Sequence, residues 1–430
     1  MTPLSYRVLA RLGSAAVRIG NRFSPKLKAG DSGRRSALRR WEAWASAHRD
    51  PARPLVWFHA PSVGEGLQAE EVLTRLRARH PDWQLLYSHF SPSAIQLASR
   101  QQVDYADFLP YDIRPNVDRL LTALRPQALV FTKLDLWPEL ASRAEGTGVE
   151  VGMVAATVSP VSGRLHPIAR RLTAAGYASL GRIGAIDYPD ASRLAELGCQ
   201  PERIRVLGDP RFDSAARHAA AIEPNDPLHR LTTGAPTLVA GSTWPEDEAV
   251  LLAAYQMVRS SHPTARLVLV PHEPTPRHLQ QLEARGSEWG VPVSALSRLG
   301  AGDVPALLVA DRVGILATLY AQASVAFVGG GFATAGLHSV LEPAACGVPV
   351  LFGPRWQSSR EAGLLIAAKG GHALTTGEVG TAARELAAYW GTWLADPAGR
   401  DEAGRQARAV VNRGLGAADR CAALVDEMVR

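Results

Sequence analysis

The chain has 430 residues, too many for one ordinary core, which implies two domains of roughly 150–200 residues each. Apolar residues make up 46% and charged residues 20%, as in soluble globular proteins. The three dispersed cysteines, Cys199, Cys346 and Cys421, have no CxxC spacing, which excludes a disulfide framework or a zinc site and fits a reducing compartment. The net charge of +6 is uneven: residues 1–40 hold ten Lys or Arg and one acid, Asp31, so they carry +9 and the rest −3. A general nucleic-acid binder carries its basic patch on the folded body, so that class is excluded.

At the N-terminus no run reaches the ~18 apolar residues of a spanning helix, and arginines interrupt any signal-peptide core. On a helix of about 100° per residue, Arg7, Arg11, Arg18 and Arg22 fall within an arc of about 60°. Val8, Leu9, Leu12, Ala16, Ile19 and Phe23 occupy a separate arc of about 100°. Such a basic amphipathic helix either lies in the interface of an anionic membrane or packs on its own protein with its arginines in water. The further cluster Arg34, Arg35, Arg39 and Arg40 favours the first, so residues 1–40 are expected to form a membrane-associating segment.

From residue 54 short apolar runs alternate with helical stretches. Strands are expected at Leu55–Ala60, Gln84–Phe90, Ala128–Thr132, Val149–Ala155, Arg182–Ile186 and Ile204–Gly208. Apolar strands separated by helices make a parallel sheet covered on both faces. The rhythm breaks over residues 222–236, where three prolines and no apolar period suggest a linker. Strands resume at Thr237–Ala240, Arg266–Pro271, Ala306–Ala310, Val325–Val328 and Val348–Phe352, with helices at Glu246–Ser260 and Leu341–Cys346 and a helical tail from Gly377. The expected organisation is α/β: a first domain over 41–221, a linker over 222–236 and a second domain over 237–430. Ligands of open parallel sheets bind beyond the carboxyl ends of the strands, so the chemistry belongs on the loops there, facing an interdomain cleft.

The first such loop, His59–Gly66 (HAPSVGEG), holds Ser62 and Gly64. Glu65 lies in its turn into a helix, as a general base toward a hydroxyl or as a complement to the helix dipole. Ser91 and Ser93 end the next strand as helix caps or ligand contacts. Lys133 and Asp135 follow an apolar strand as a salt bridge or as substrate contacts. In the second half Ser242 and Thr243 follow a strand, and VPHEP presents His272 and Glu273. No partner histidine gives His272 metal-ligand spacing. The densest block runs from Phe327 to Pro354. There Gly329, Gly330 and Gly331 end a strand, a helix is expected to open near His338 and Ser339, and Glu342 is suited to a ribose diol. A glycine-rich turn before a helix is a phosphate site by electrostatics. The block lacks the dinucleotide GxGxxG pattern, which disfavours nicotinamide chemistry.

The blocks WFHAPSVGEG, SHFSPSA, FLPYDIRPNVDRLL, FTKLDLWPE, VLGDPRFD, AGSTWPEDE, VPHEP, FVGGGF and GLHSVLEPAACGVPVLFGP, in this order over residues 54–370, resemble the 3-deoxy-D-manno-octulosonic acid (Kdo) transferases of lipopolysaccharide assembly. The resemblance implies a GT-B fold, a CMP-Kdo donor, a lipid A precursor as acceptor, and inversion without metal or cofactor. It implies Glu65 as catalytic base, and donor contacts at Ser242, Thr243, His272, Glu273, Gly329, Gly330, Gly331, His338, Ser339 and Glu342. Ser62, Gly64, Ser91, Ser93, Lys133 and Asp135 would line the acceptor side. It also implies a peripheral place on the cytoplasmic face of the bacterial inner membrane. Two positions depart from the family: Ser339 and Glu139 each stand where asparagine is usual, and serine lacks the amide's two-sided hydrogen bonding. The competing readings are another GT-B enzyme using a UDP-sugar, transferase or epimerase, and a sugar-nucleotide or lipid binding homologue without turnover.

Overall fold

Among the described residues fourteen short strands, most of them buried on both faces, build two parallel sheets. The computed structural model describes residues 2–429 except 289, 301, 303 and 335, so the end residues 1 and 430 of the expected ranges lie outside the described residues. The first sheet contains β1 (Leu55–His59), β2 (Gln84–His89), β3 (Tyr105–Phe108), β4 (Ala128–Thr132), β5 (Glu150–Ala156), β6 (Arg182–Ala185) and β7 (Ile204–Val206). Their order is β3-β2-β1-β4-β5-β6-β7, all parallel. The second contains β8 (Thr237–Thr243), β9 (Arg266–Pro271), β10 (Ser294–Ala295), β11 (Leu307–Val309), β12 (Val325–Val328), β13 (Val350–Phe352) and β14 (Gly371–Ala373). Its order is β10-β11-β9-β8-β12-β13-β14, again parallel. Strands β3, β10 and β14 escape the sequence pattern because they are short edge or near-edge pieces with little apolar content.

Each order reverses once, between β1 and β4 in the first sheet and between β8 and β12 in the second. There the crossover helices leave on opposite faces and open a crevice beyond the strand ends. The loops that leave β1, β4, β8 and β12 are HAPSVGEG, TKLDLWPE, STWPEDE and GGGF, four of the blocks singled out above.

The first unit comprises residues 1–214 and 415–430, and the second residues 215–414. Two expectations about boundaries therefore change. The last helix, Ala417–Val429, belongs to the first unit: its Cys421, Ala422, Leu424 and Val425 join Val72, Leu73 and Leu76 of the helix Val63–Arg79 beneath one face of the first sheet. The segment 222–236 does not run as an open linker. It contains a short 3₁₀ turn, Pro227–Leu231, whose Leu231 is buried with Val239 and Tyr320 of the second unit.

The basic cluster after the first helix is also used differently from expectation. Helix Pro25–His48 covers the other face of the first sheet through Trp41 and Trp44, and the Trp41 indole donates to the Phe108 carbonyl at 2.9 Å. Arg34 is buried, donates to the Phe90 carbonyl at 2.8 Å and lies over the Phe90 ring. Arg35 pairs with Asp31, and Arg40 is bidentate on Asp107. Arg34 and Arg40 thus hold the helix to its own domain, and Arg35 is paired within the helix. The preceding helix, Leu4–Gly20, presents Leu4, Leu9, Leu12 and Ile19 outward. Among the described residues no helix is long and apolar enough to cross a membrane.

Candidate active site

Glu65 sits in the first turn of helix Val63–Arg79, directly after β1. Gly66 lets this turn approach the sheet, since a Cβ there would lie 2.5 Å from Leu97 and 2.6 Å from the Tyr87 hydroxyl. Gly64 faces open space and meets no such demand. The Lys133 ammonium, at the end of β4, donates to Glu65 Oε1 at 3.2 Å, and the Ser62 hydroxyl donates to Oε2. Lys133 reaches this place with φ of 68°, the left-handed region that costs a side-chain-bearing residue about 1–2 kcal/mol. Strained backbone of this kind gathers where a site fixes the side chain's direction. Lys133 and Asp135 do not pair with each other: Asp135 is held by Arg164 at 2.7 Å, and burial pushes its carboxyl up despite that arginine.

Beneath Glu65 lies a closed polar network. The Trp137 indole donates to His59 Nε2 at 2.8 Å, so the His59 proton resides on Nδ1 and is given to Ser88 Oγ at 2.9 Å. Ser88 Oγ also accepts from the Trp57 indole at 2.9 Å and donates to the Phe58 carbonyl. Every hydrogen-bonding position of His59 is filled, and burial lowers its pKa to about 3, so it is a neutral support and not a proton carrier at pH 7. Ser91 accepts from the Ser93 amide and caps the 3₁₀ turn Pro92–Ala94.

Glu139 is fully buried, and its Oε2 accepts from Thr2 and from the Arg7 guanidinium at 3.0 Å. The departure from asparagine thus has a cation supplied by this chain's own first helix. Asp112 joins the same cluster, accepting from the Tyr6 hydroxyl at 2.7 Å and from the Glu139 and Leu140 amides, both at 2.9 Å.

In the second unit β8 bulges at Ser242, whose φ is 53°. Three loops converge there so closely that only glycine fits. A Cβ on Gly329 would lie 2.3 Å from the Ser242 carbonyl oxygen, one on Gly330 2.1 Å from the Gly336 carbonyl oxygen, and one on Gly331 2.7 Å from Gly353. The glycine run is therefore a packing device first. Two of its three amides are also occupied, which narrows the expected phosphate cradle: Gly329 N–H donates to the Gly241 carbonyl at 2.9 Å, and Gly330 N–H to Asp247 Oδ2 at 2.8 Å. Asp247 also accepts the Trp244 amide at 2.9 Å from the N3 position of its own helix, Pro245–Ser261. A protein carboxylate thus fills the place given to a ligand phosphate. A second correction concerns the following helix. It opens at Leu341 and spans only Leu341–Ala345, because His338 and Ser339 stay extended while His338 N–H bonds the Gly329 carbonyl.

What converges on this edge is aromatic. His272 stacks against both Trp244 and His338, at centroid distances of 5.0 and 4.5 Å, and those two rings lie nearly parallel with centroids 6.4 Å apart. The Trp244 indole donates to His338 Nε2 at 3.0 Å, which puts the His338 proton on Nδ1. Burial, with His272 beside it, lowers the His338 pKa to about 4, so the ring is a neutral donor at Nδ1. Thr243 is buried and donates to Glu248 Oε1 at 2.9 Å; Glu248 Oε2 binds His278 Nε2 at 2.8 Å, and His278 Nδ1 reaches the Glu273 carbonyl at 3.2 Å. Both ring nitrogens thus face acceptors, and the Glu248 partnership raises the His278 pKa. Glu342 has no hydrogen-bond partner among the described residues, and burial raises its carboxyl. Ser339 is exposed.

A family model described as 3-Deoxy-D-manno-octulosonic-acid transferase (kdotransferase) matches residues 35–214, within the first unit. A 3-deoxy-D-manno-octulosonic acid transferase of Chlamydia muridarum is 27% identical over 321 residues, covering 71% of each chain. One of Bordetella pertussis is 28% identical over 353 residues, covering 76% of this chain and 79% of the relative. By these matches the chain is similar to Kdo transferases. The solved UDP-GlcNAc 2-epimerase from Neisseria meningitidis bound to UDP-GlcNAc aligns with a TM-score of 0.61 at 12% identity, over 87% of this chain and 99% of that one. At that identity it shows the fold alone: two Rossmann-like units of the GT-B type.

The sequence alone does not announce three supports: Asp247, the Glu248–His278 pair, and the His59–Ser88–Trp137 network. Asp247 carried a signal, since an acid three residues after the N-cap is a capping-box position. The other two join residues 29, 30 and 78 positions apart and leave no local pattern.

Proposed function

We propose that this chain is an inverting glycosyltransferase that moves Kdo from CMP-Kdo to a lipid A precursor, with Glu65 as general base. One observation carries the reading: in a relative of the Kdo transferases, Glu65 stands at the switch point of the first sheet with a donor on each carboxylate oxygen, Lys133 and Ser62. A carboxylate so held has its direction fixed and is charged-paired, and it becomes a base when the acceptor hydroxyl replaces one of those donors. Glu65 then takes the proton of the acceptor's primary hydroxyl. The oxygen forms a bond to the anomeric carbon of Kdo, the bond from that carbon to the CMP phosphate oxygen breaks, and the electron pair leaves with CMP.

On the donor side the base and ribose of CMP are assigned to Ser242, His272, Glu273, His338, Ser339 and Glu342. Because the Gly329 and Gly330 amides are occupied, the departing phosphate is assigned to the Nδ1–H of neutral His338 and not to the glycine turn. Thr243, also expected to contact the donor, is assigned a supporting role through Glu248. The protein is placed peripherally on the cytoplasmic face of the bacterial inner membrane through the outward apolar side chains of helix Leu4–Gly20.

Purified protein incubated with CMP-Kdo and lipid A precursor should yield a Kdo-bearing lipid, read by mass spectrometry. Glu65→Ala should stay folded and lose about 10²–10⁴-fold in rate, the usual contribution of a general base. A Glu65→Ala enzyme with unchanged turnover sinks the assignment. Thermal protection by UDP but not CMP would instead favour a UDP-sugar enzyme.

A further inference from the structure

Three helices begin at one place in the first unit: Leu4–Gly20, Arg114–Leu124 and Pro138–Gly146. Their N-termini bring positive backbone potential to a common point. Two buried acids, Asp112 and Glu139, answer part of it. Both oxygens of Asp112 are taken, by Tyr6 and by the Glu139 and Leu140 amides; Glu139 Oε2 takes Thr2 and Arg7, and its buried Oε1 has no hydrogen-bond partner among the described residues. Beside them opens a cavity of about 210 Å³ lined by Leu4, Arg7, Val8, Arg11, Asp112, Ile113 and Arg114. Arg11 has no hydrogen-bond or ion-pair partner among the described residues, and Arg114 only a 3.6 Å pairing with Asp118. Two arginines therefore face this cavity with unspent donors.

The lining has a second character. Leu4, Val8 and Ile113 make an apolar wall, and Leu4, Val8, Leu9 and Leu12 continue it outward along the exposed helix. Arginines at the mouth of a cavity whose wall runs into an apolar surface match a molecule with an anionic phosphate joined to hydrocarbon. A free phosphate would gain nothing from that wall.

We infer that the cavity between helix Leu4–Gly20 and the loop Asp112–Arg114 is a binding site for the phosphate headgroup of an anionic membrane phospholipid, with Arg11 and Arg114 clamping the phosphate. The inference deepens the membrane placement proposed above and rests on it. It turns a diffuse attraction into a one-to-one contact that fixes how the first unit is turned on the surface.

The test compares two variants of the full chain that lose the same charge. Arg11→Gln/Arg114→Gln empties the cavity, and Arg18→Gln/Arg22→Gln removes two exposed arginines of the same region outside it. Binding is measured to phosphatidylcholine vesicles with and without phosphatidylglycerol, and to monomeric short-chain phosphatidylglycerol. Both variants lose the general surface attraction, and the cavity variant should lose at least about tenfold more, the worth of one charge-assisted contact. Equal losses overturn the site and leave the membrane reading standing. If wild type ignores vesicles yet binds the short-chain lipid, and the cavity variant does not, the membrane reading falls and the site stands. Inorganic phosphate bound as tightly as the short-chain lipid overturns the lipid assignment.

Discussion

Lys133 carries both the cation beside Glu65 and a left-handed backbone, and the two can be separated by Lys133→Gly and Lys133→Ala. Either substitution removes an ion pair whose lysine is 44% exposed, worth about 0–1 kcal/mol after solvent screening. They differ in backbone. At φ of 68° alanine retains the roughly 1–2 kcal/mol left-handed cost, whereas glycine removes it but gains unfolded-chain entropy of roughly 0.4–1 kcal/mol. Lys133→Gly should therefore be more stable than Lys133→Ala by about 0.5–1 kcal/mol and lie within about 1 kcal/mol of wild type. That reverses the order seen where φ is negative. Activity should not follow stability. Both variants leave Glu65 without its cation and should lose on the order of tenfold to a hundredfold in kcat/KM through misplacement of the base. Urea midpoints at unchanged slope give the first comparison, and product formation from CMP-Kdo gives the second. An alanine variant as stable as the glycine one refutes the strain argument. A glycine variant with wild-type kcat/KM removes Lys133 from the site.

Gly330→Ala places a methyl 2.1 Å from the Gly336 carbonyl oxygen at φ of 91°, and should cost about 2–4 kcal/mol, seen as a lowered Tm together with weakened CMP binding. Asp247→Ala leaves the Gly330 and Trp244 amides without an acceptor and should cost about 1–3 kcal/mol for each; Asp247→Asn keeps an acceptor and should recover most of that loss, and equal instability of the two would contradict that role. The pH dependence is a balance of opposed groups. Burial raises Asp112 and Asp247 from 3.8 to about 6, so their contributions are complete below the unfolded value and vanish as pH passes through about 6. Burial lowers His59 from 6.5 to about 3 and His338 from 6.5 to about 4, so their contributions are complete above about 6.5 and are lost as pH falls through the folded values. One group can be isolated: the destabilisation of Asp247→Asn relative to wild type should shrink as pH rises from about 4.5 to 7.5, because only wild type carries the Asp247 titration. Urea midpoints of the two proteins across this range check the sign, and a difference that grows with pH contradicts it.

The architecture was legible because its strands are continuous apolar runs. Leu55–His59, Gln84–His89, Ala128–Thr132 and Arg266–Pro271 fall within a residue or two of the expected limits, since burial on both faces leaves little choice of residue. The candidate base was legible for a related reason: a loop that follows a central strand and opens a helix must lie at the carboxyl edge. What escaped was whatever depends on a partner far along the chain. The tail Ala417–Val429 has the apolar stripe of any covering helix, and nothing in that stripe says which sheet it covers. Arg34 and Arg40 look like part of a membrane patch until the Phe90 carbonyl and Asp107 are brought to them.

The glycine run shows most clearly what a sequence pattern leaves open. Gly329–Gly331 could be read as a phosphate cradle because such a cradle needs amides without side chains in the way. The same residues are required wherever three strand-end loops touch, and an amide turned toward an anion does not say whether that anion is a ligand or a carboxylate. Here Asp247, 83 residues earlier, supplies it. The consequence is chemical. With that anion already in place, a second negative charge close to Gly330 would be repelled, and burial already strains Asp247 toward protonation. In the proposed reaction the CMP phosphate would then lie toward the neutral His338 ring, whose proton is held on Nδ1 because Trp244 occupies Nε2. The Trp244–His272–His338 stack, which no local motif announces, is thus the part of the second unit best built to face a nucleotide: planar surfaces for a base, and one donor whose charge does not change near pH 7.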